Sequence, residues 1–368
     1  MADPLDLWSR RTLFAAPLLQ AALSLQAAPL LQSAPLHLPR KVRVGVIGTE
    51  GHLEEVLRPL AVLPDVEIVA YADANPRGLA NLAKRPPMAQ AKGFADYRKM
   101  MDEVPLDVVG VVNDDGARAA ATLAVLERGL HCVAEKPLAI TRADLAKVKQ
   151  AATHSKGKLA MMTPLRYSPP FLAVREVVAS GEIGEVILLG GQKSYKRGAT
   201  SDWKNKRETY GSTMLWIGPH LIDLFYFAGR VKMTEAFCWQ TNVGDPSIGI
   251  RENVVGAVFR LANGGVAEMR MDYLRPDTAR THGDDRLRVA GTKGVVEYTE
   301  ATGVTVLSNQ GPPRRLEQLP AARFLFADFL NHVYNNGPNV QPLDEIFHVS
   351  DVIQAAEDSS QSGKAVKV

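Results

Sequence analysis

Short apolar runs alternate with helix-patterned stretches over residues 41–163. Residues 41–47 (Lys-Val-Arg-Val-Gly-Val-Ile) form a strand-like run closed by Gly48-Thr49-Glu50-Gly51. Leu53, Val56, Leu57, Leu60 and Leu63 then recur at helical spacing and predict one helix. Residues 66–72 read as a second strand ending at Asp73. Residues 107–112 read as a third, followed by a helix over about 117–128. Residues 131–134 lead into Glu135-Lys136-Pro137, then a helix near 143–152 and a strand over 158–162. Strands this apolar, joined by short links and helices, predict a parallel sheet covered on both faces. Further along the pattern changes. Two β-rich runs, 251–261 and 266–273, flank Asn263-Gly264, a hairpin signal. Residues 287–290, 294–298 and 304–307 read as additional strands.

The first forty residues differ. Residues 12–39 contain no Asp, Glu, Lys or Arg. A stable membrane span is disfavoured, because Pro17, Pro29, Pro35 and Pro39 interrupt the run and Gln20, Gln26 and Gln32 make it polar. Just ahead stands Ser9-Arg10-Arg11-Thr12-Leu13-Phe14. Twin arginines before a modestly apolar, small-residue stretch resemble a Tat export signal, with cleavage points near 25–28 or 33–34. That reading makes the Tat machinery a partner and the mature protein periplasmic. A disordered extension, or an over-long start, would leave it cytoplasmic.

Length and charge narrow the rest. At roughly 150 residues per domain, 368 residues suggest two domains and a smaller piece. The expected division is a leader over 1–39, a nucleotide-binding unit over 40–163 and a second α/β unit over 164–368. Lys+Arg exceed Asp+Glu by 43 to 40, a net +3, too slight to argue for nucleic acid. Cys132 and Cys238 make neither a disulfide framework nor a zinc site, and no metal-binding spacing is present.

Strand, glycine turn and helix are the setting of a dinucleotide fingerprint. Asp73 follows Gly48 by 25 positions, near the roughly 20 expected of the ribose-binding acid. A carboxylate there favours NAD; Arg77 leaves NADP open. The fingerprint is imperfect, because Glu50 stands at its second glycine position and Leu53 at its third. Glu50 brings bulk and charge toward a dianion, and Gly51 offers a shifted close approach.

Residues 129–137 (Gly-Leu-His-Cys-Val-Ala-Glu-Lys-Pro) resemble the Gfo/Idh/MocA oxidoreductases, whose hallmark is Glu-Lys-Pro at the end of a Rossmann strand. Arg166-Tyr167-Ser168-Pro169, Gly181-Glu182-Ile183-Gly184, Gly218-Pro219-His220-Leu221-Ile222-Asp223 and the chain's end over 355–368 resemble the family's later segments, in order. The resemblance implies a Rossmann domain followed by an α/β domain with a large, mostly antiparallel open sheet. A homodimer or homotetramer is the accompanying expectation.

It also implies the chemistry: NAD(P)-dependent hydride transfer at a hydroxyl or carbonyl carbon of a sugar, polyol or related carbohydrate. Lys136 would lie near nicotinamide and substrate, and His220 would be the general acid/base. Gly48, Thr49, Glu50, Gly51, Asp73, Asn113, Glu135, Lys136 and Pro137 are the expected cofactor contacts. Arg166, Tyr167, Tyr210, Trp216 and Asp223 are the expected substrate contacts, Asp223 also as a partner for the imidazole. Two departures stand out. Trp216 replaces the family's usual aspartate four residues before the histidine, and it would stack on a sugar or pack in the core. After the third long strand, Asn113-Asp114-Asp115-Gly116-Ala117-Arg118 places Arg118 at a usual histidine position; its aspartates would border the cofactor or form a solvated helix cap. The basic, aromatic segment Lys193, Lys196, Arg197, Lys204, Lys206 and Arg207 with Tyr195, Trp203 and Tyr210 reads as a solvated loop, or as a grip on an acidic or phosphorylated substrate. An NAD-dependent glycosidase with retained cofactor, and a non-catalytic dinucleotide or sugar sensor, are the alternatives.

Overall fold

The computed structural model describes residues 34–198, 201–244 and 246–368. The twin-arginine segment lies outside the described residues. Residues 34–39, grouped with the leader on composition, lie against the first sheet unit: Leu36 N donates to Val62 O and Leu38 is buried.

Six parallel strands form that unit: β1 (Val42–Ile47), β2 (Val66–Ala72), β3 (Lys92–Phe94), β4 (Val108–Val111), β5 (His131–Glu135) and β6 (Leu159–Met162). Their spatial order is β3-β2-β1-β4-β5-β6. All four residues of β4 are buried, as are all four of β6, so neither face of the sheet meets water there. The order reverses between β1 and β4, and a crevice opens at such a switch point, outside the strands' carboxyl ends. The helix expected after β1 is shorter than its leucine spacing suggests. One turn, Glu54–Leu57, passes into a 3-10 helix, Arg58–Val62. Pro59 lacks the N–H that a continuing α-helix would need.

Nine further strands build the second sheet: β7 (Val186–Tyr195), β8 (Met233–Thr241), β9 (Val254–Leu261), β10 (Val266–Asp272), β11 (Gly283–Gly291), β12 (Gly294–Thr299), β13 (Gly303–Ser308), β14 (Gly311–Arg315) and β15 (Val366–Lys367). Their order is β14-β13-β12-β11-β7-β10-β9-β8-β15, antiparallel except for β7 beside β10. β9 and β10 meet at the expected Asn263-Gly264 turn. In β9 buried and exposed residues alternate, so one face packs and the other meets water. The packed face carries the helix Thr213–Gly229, capped by the Ser212 hydroxyl, which accepts from Leu215 N.

The closing helix, Leu343–Ser362, starts earlier than the terminal segment predicts and joins the two units. Lys149 and Arg142 of the first unit pair with its Asp351 and Asp358, and Gln354 donates to Ala139 O. On its other side Ser359 Oγ accepts from Cys238 N on β8. Among the described residues no helix is long and apolar enough to cross a membrane.

Candidate active site

The turn after β1 is shaped by backbone conformation. Gly48 has φ +84°, and a Cβ there would stand 2.5 Å from the Asn113 backbone, so only glycine lets this turn pass under the end of β4. Glu50 N donates to Val112 O at 2.6 Å, and the Thr49 hydroxyl lies 3.5 Å from Asp73 Oδ2. Asp73 ends β2, half-buried. Burial raises its pKa, the Glu50 charge adds to the rise, and the Asn75 N–H on Oδ1 opposes both. Across the crevice the Asn113 side-chain oxygen is buried with no partner. A carboxylate poised for hydroxyl donors, an orphan acceptor and a glycine turn fit a bound dinucleotide.

The centre of the site lies where β5 ends. Glu135 is fully buried, with its two oxygens 2.8 and 2.9 Å from His52 Nδ1 and Oε1 3.3 Å from Lys136 Nζ. Burial alone would raise the Glu135 pKa, but His52 and Lys136 outweigh it and hold the carboxyl at about 2. Lys136 is buried too. Its ammonium donates to Trp216 O at 2.7 Å and lies 3.4 Å from the centre of the Trp216 ring. Burial pulls its pKa down to about 8 against the pull of Glu135 and Asp115. Pro219, inside the same helix as Trp216, removes one backbone donor from this turn. His220 follows it, with its ring edge-on to His52 at 5.0 Å between centroids. Its Nδ1 is buried without a partner. Burial, then the Lys136, Lys193 and His52 charges, lower its pKa well below the usual imidazole range, so His220 is a neutral base.

The loop after β4 is not a simple solvated cap. Asp114 does cap the helix Asp115–Glu127, accepting from Ala117 N. Asp115 is fully buried. Its Oδ1 takes Arg118 Nη1 at 2.7 Å and its Oδ2 has no partner. Burial lifts its pKa to about 6, against Arg118 and Lys136. Arg118 also donates to the Lys136, Pro137 and Asn113 carbonyls, fastening the end of β5 to this loop.

Several expected substrate contacts lie elsewhere. Arg166 and Asp223 are each 1% exposed and pair with each other through two hydrogen bonds, Nε to Oδ2 at 2.9 Å and Nη2 to Oδ1 at 2.5 Å. Arg166 also reaches Glu345 and Val340 O. The guanidinium is spent on structure, and Asp223 braces it rather than His220. Tyr167 is packed among apolar residues of the first unit. Tyr210 is buried with its hydroxyl on Thr213 Oγ1. Trp216 does reach the centre, through Lys136. His52 was not singled out by the sequence. Its only signal there was indirect: a buried glutamate at a strand end requires a cationic partner. Among the described residues no His/Cys/Asp/Glu group is placed to hold a metal.

Residues 42–163 match the family model for an oxidoreductase family with an NAD-binding Rossmann fold, and residues 171–297 match that for the GFO/IDH/MocA C-terminal domain. Inositol 2-dehydrogenase of Salmonella typhimurium is 25% identical over 223 residues, covering 58% of this chain and 63% of that enzyme. D-glucoside 3-dehydrogenase of Escherichia coli is 23% identical over 330 residues, covering 83% and 91%. The solved structure of a Thermotoga maritima protein assigned as an oxidoreductase superposes with a TM-score of 0.84 at 29% identity, covering 89% of this chain and all of that one.

Proposed function

Because this chain belongs to the Gfo/Idh/MocA family of oxidoreductases, we propose that it moves hydride between NAD and a hydroxyl-bearing carbon of a sugar or polyol. The observation that carries this reading is the convergence of Lys136 and His220 on the buried Glu135–His52 pair, beside a turn that fits a dinucleotide. The nicotinamide, when bound, supplies the hydride acceptor. As the carbon is oxidised its hydroxyl proton goes to the neutral His220 imidazole. The Lys136 ammonium donates to the oxygen as charge develops there. Glu135, itself held by His52, keeps that ammonium charged within its apolar surroundings. Names of relatives support the substrate class: one acts on inositol and another on a D-glucoside.

Denaturing the purified protein and assaying the released nicotinamide tests cofactor use. Bound NAD(H) is expected, and failure of both NAD and NADP to bind would overturn the reading. One observation favours a second reading, a recycled cofactor of the kind a glycosidase would need. The segment 201–210 of the second unit crosses the nucleotide turn, with Ser201 Oγ 3.5 Å from Glu50 Oε2, and a Cβ on Gly116 would stand 2.0 Å from the Glu208 carbonyl. Export by the Tat route and homo-oligomerisation belong to the same proposal. The twin arginines support the first; exposed Phe237, Trp239, Val258 and Val266 on the second sheet support the second.

A further inference from the structure

The segment that crosses the nucleotide turn brings two donors to the site without acceptors. Lys204 stands with its ammonium 4.5 Å from the centre of the Trp216 ring and 5.2 Å from that of Trp203. The two indoles meet edge-to-face at 5.3 Å, and Tyr210 flanks Trp203 at 6.1 Å. Four other cations of this region are matched. Lys136 pairs with Glu135, Arg118 with Asp115, Lys193 with Asp285 and Arg207 with Glu252. The Lys204 ammonium has no hydrogen-bond or ion-pair partner among the described residues. The Trp203 Nε1 donor is buried beside it, also without a partner. A buried indole N–H normally finds an acceptor, and a half-buried ammonium held only by ring faces loses much of its hydration.

The position decides what the donors serve. Trp216 carries Lys136 against its ring as well, so the Lys204 subsite adjoins the reacting centre. Burial lowers the Lys204 pKa, although Asp115, Glu50 and Glu135 act on it from a distance. An anion in direct contact would restore the charge.

We propose that Lys204 and Trp203 Nε1 form a subsite for an anionic group, carboxylate or phosphate, on the carbohydrate substrate. This rests on the oxidoreductase reading above and narrows its substrate to acidic sugars. The aromatic walls would pack on the sugar ring while the two donors take the anion's oxygens.

The test uses the full chain loaded with NAD and matched pairs: D-glucuronate and glucose 6-phosphate against D-glucose, D-galacturonate against D-galactose. Binding is read by tryptophan fluorescence and oxidation by NADH formation. At least one acidic member is expected to bind roughly ten- to a hundredfold tighter than its neutral parent, as a charge-assisted hydrogen bond implies. Lys204→Met should bring that ratio near one with NAD affinity unchanged, and Lys204→Arg should keep most of it. Preference for the uronates or for the phosphate identifies the anion. Neutral parents that bind as tightly as their acids would overturn the subsite and leave the oxidoreductase standing. So would a Lys204→Met variant that keeps the ratio, or one that loses NAD instead. A wild-type protein that binds NAD but neither binds nor oxidises any sugar, with myo-inositol included, would overturn the proposed function and the subsite together.

Discussion

Replacing Glu135 by glutamine removes the one carboxylate in contact with Lys136 while preserving its shape. The oxygen lies 3.3 Å from Lys136 Nζ and both groups are buried. At an effective dielectric of about 20 a pair at this distance is worth on the order of 5 kcal/mol before solvent and neighbours respond. Observed shifts for a nearby opposite charge are about 1–3 pH units. In the wild type, burial already holds Lys136 at about 8. The sign follows from what remains: without the carboxylate the ammonium keeps the Trp216 carbonyl and ring and the more distant pull of Asp115, so its pKa falls further. If the charged lysine assists the oxygen, wild-type kcat/KM declines above about pH 8. In Glu135→Gln the decline should begin about 1–3 units lower, with activity recovering on acidification. His220, whose pKa lies well below the imidazole range, stays a competent base over that interval. The assay is the pH dependence of kcat/KM for NADH formation, with thermal unfolding followed at each pH, since breaking a buried pair costs about 3–5 kcal/mol. A folded variant whose alkaline limb has not moved would refute the assignment of that limb to Lys136.

Other consequences follow from the same contacts. Arg166→Met should destabilise the protein by about 3–5 kcal/mol in urea unfolding, because it strands Asp223 in the interior and leaves Glu345 with Arg230 alone; KM for substrate in the folded fraction should be unchanged, since the guanidinium is taken up by Asp223, Glu345 and the Val340 carbonyl. Asp73→Ser should weaken NAD binding by about tenfold or more, as expected for losing a charge-assisted acceptor, and isothermal calorimetry reads it directly. Lys136→Met should abolish turnover and change how stability depends on pH: the folded pKa of about 8 lies below the ordinary 10.5, so wild-type stability rises as the pH goes from about 8 to 10.5, and thermal unfolding of the variant should lose that rise. Arg10→Lys with Arg11→Lys should hold the precursor in the cytoplasm, and unchanged export by cell fractionation would remove the Tat reading.

Local pattern carried the architecture well. The apolar runs of β4 and β6 are short but unbroken because both sheet faces are covered, and Asn263-Gly264 announces its hairpin through a backbone conformation few residues accept. Asp73 and Lys136 were legible because each ends a strand, where the chain must leave the sheet and face the crevice. The contacts between distant residues were not. His52 meets Glu135 across 83 positions, and Arg166 meets Asp223 across 57. No periodicity encodes such pairs; they arise only when β1, β5 and the His220 helix converge. Asp115 reads like a cap residue beside Asp114, and only the packing of the loop against Arg118 and the end of β5 buries one fully and leaves the other partly exposed. The leucine spacing after β1 suggests a longer helix than forms, because Pro59 cannot donate to a continuing α-helical ladder.

The central claim is that Lys136 and His220 perform hydride-coupled proton transfer on a sugar or polyol with NAD. Single-turnover mixing of NAD-loaded protein with a panel of neutral and acidic sugars and inositols, followed by NADH absorbance, tests it most directly. The wild type should form NADH with at least one of them, and His220→Asn should be slower by roughly a hundredfold or more, the scale of general-base catalysis. Wild-type protein that binds NAD yet oxidises none of them, or a His220→Asn variant as fast as wild type, would contradict the account.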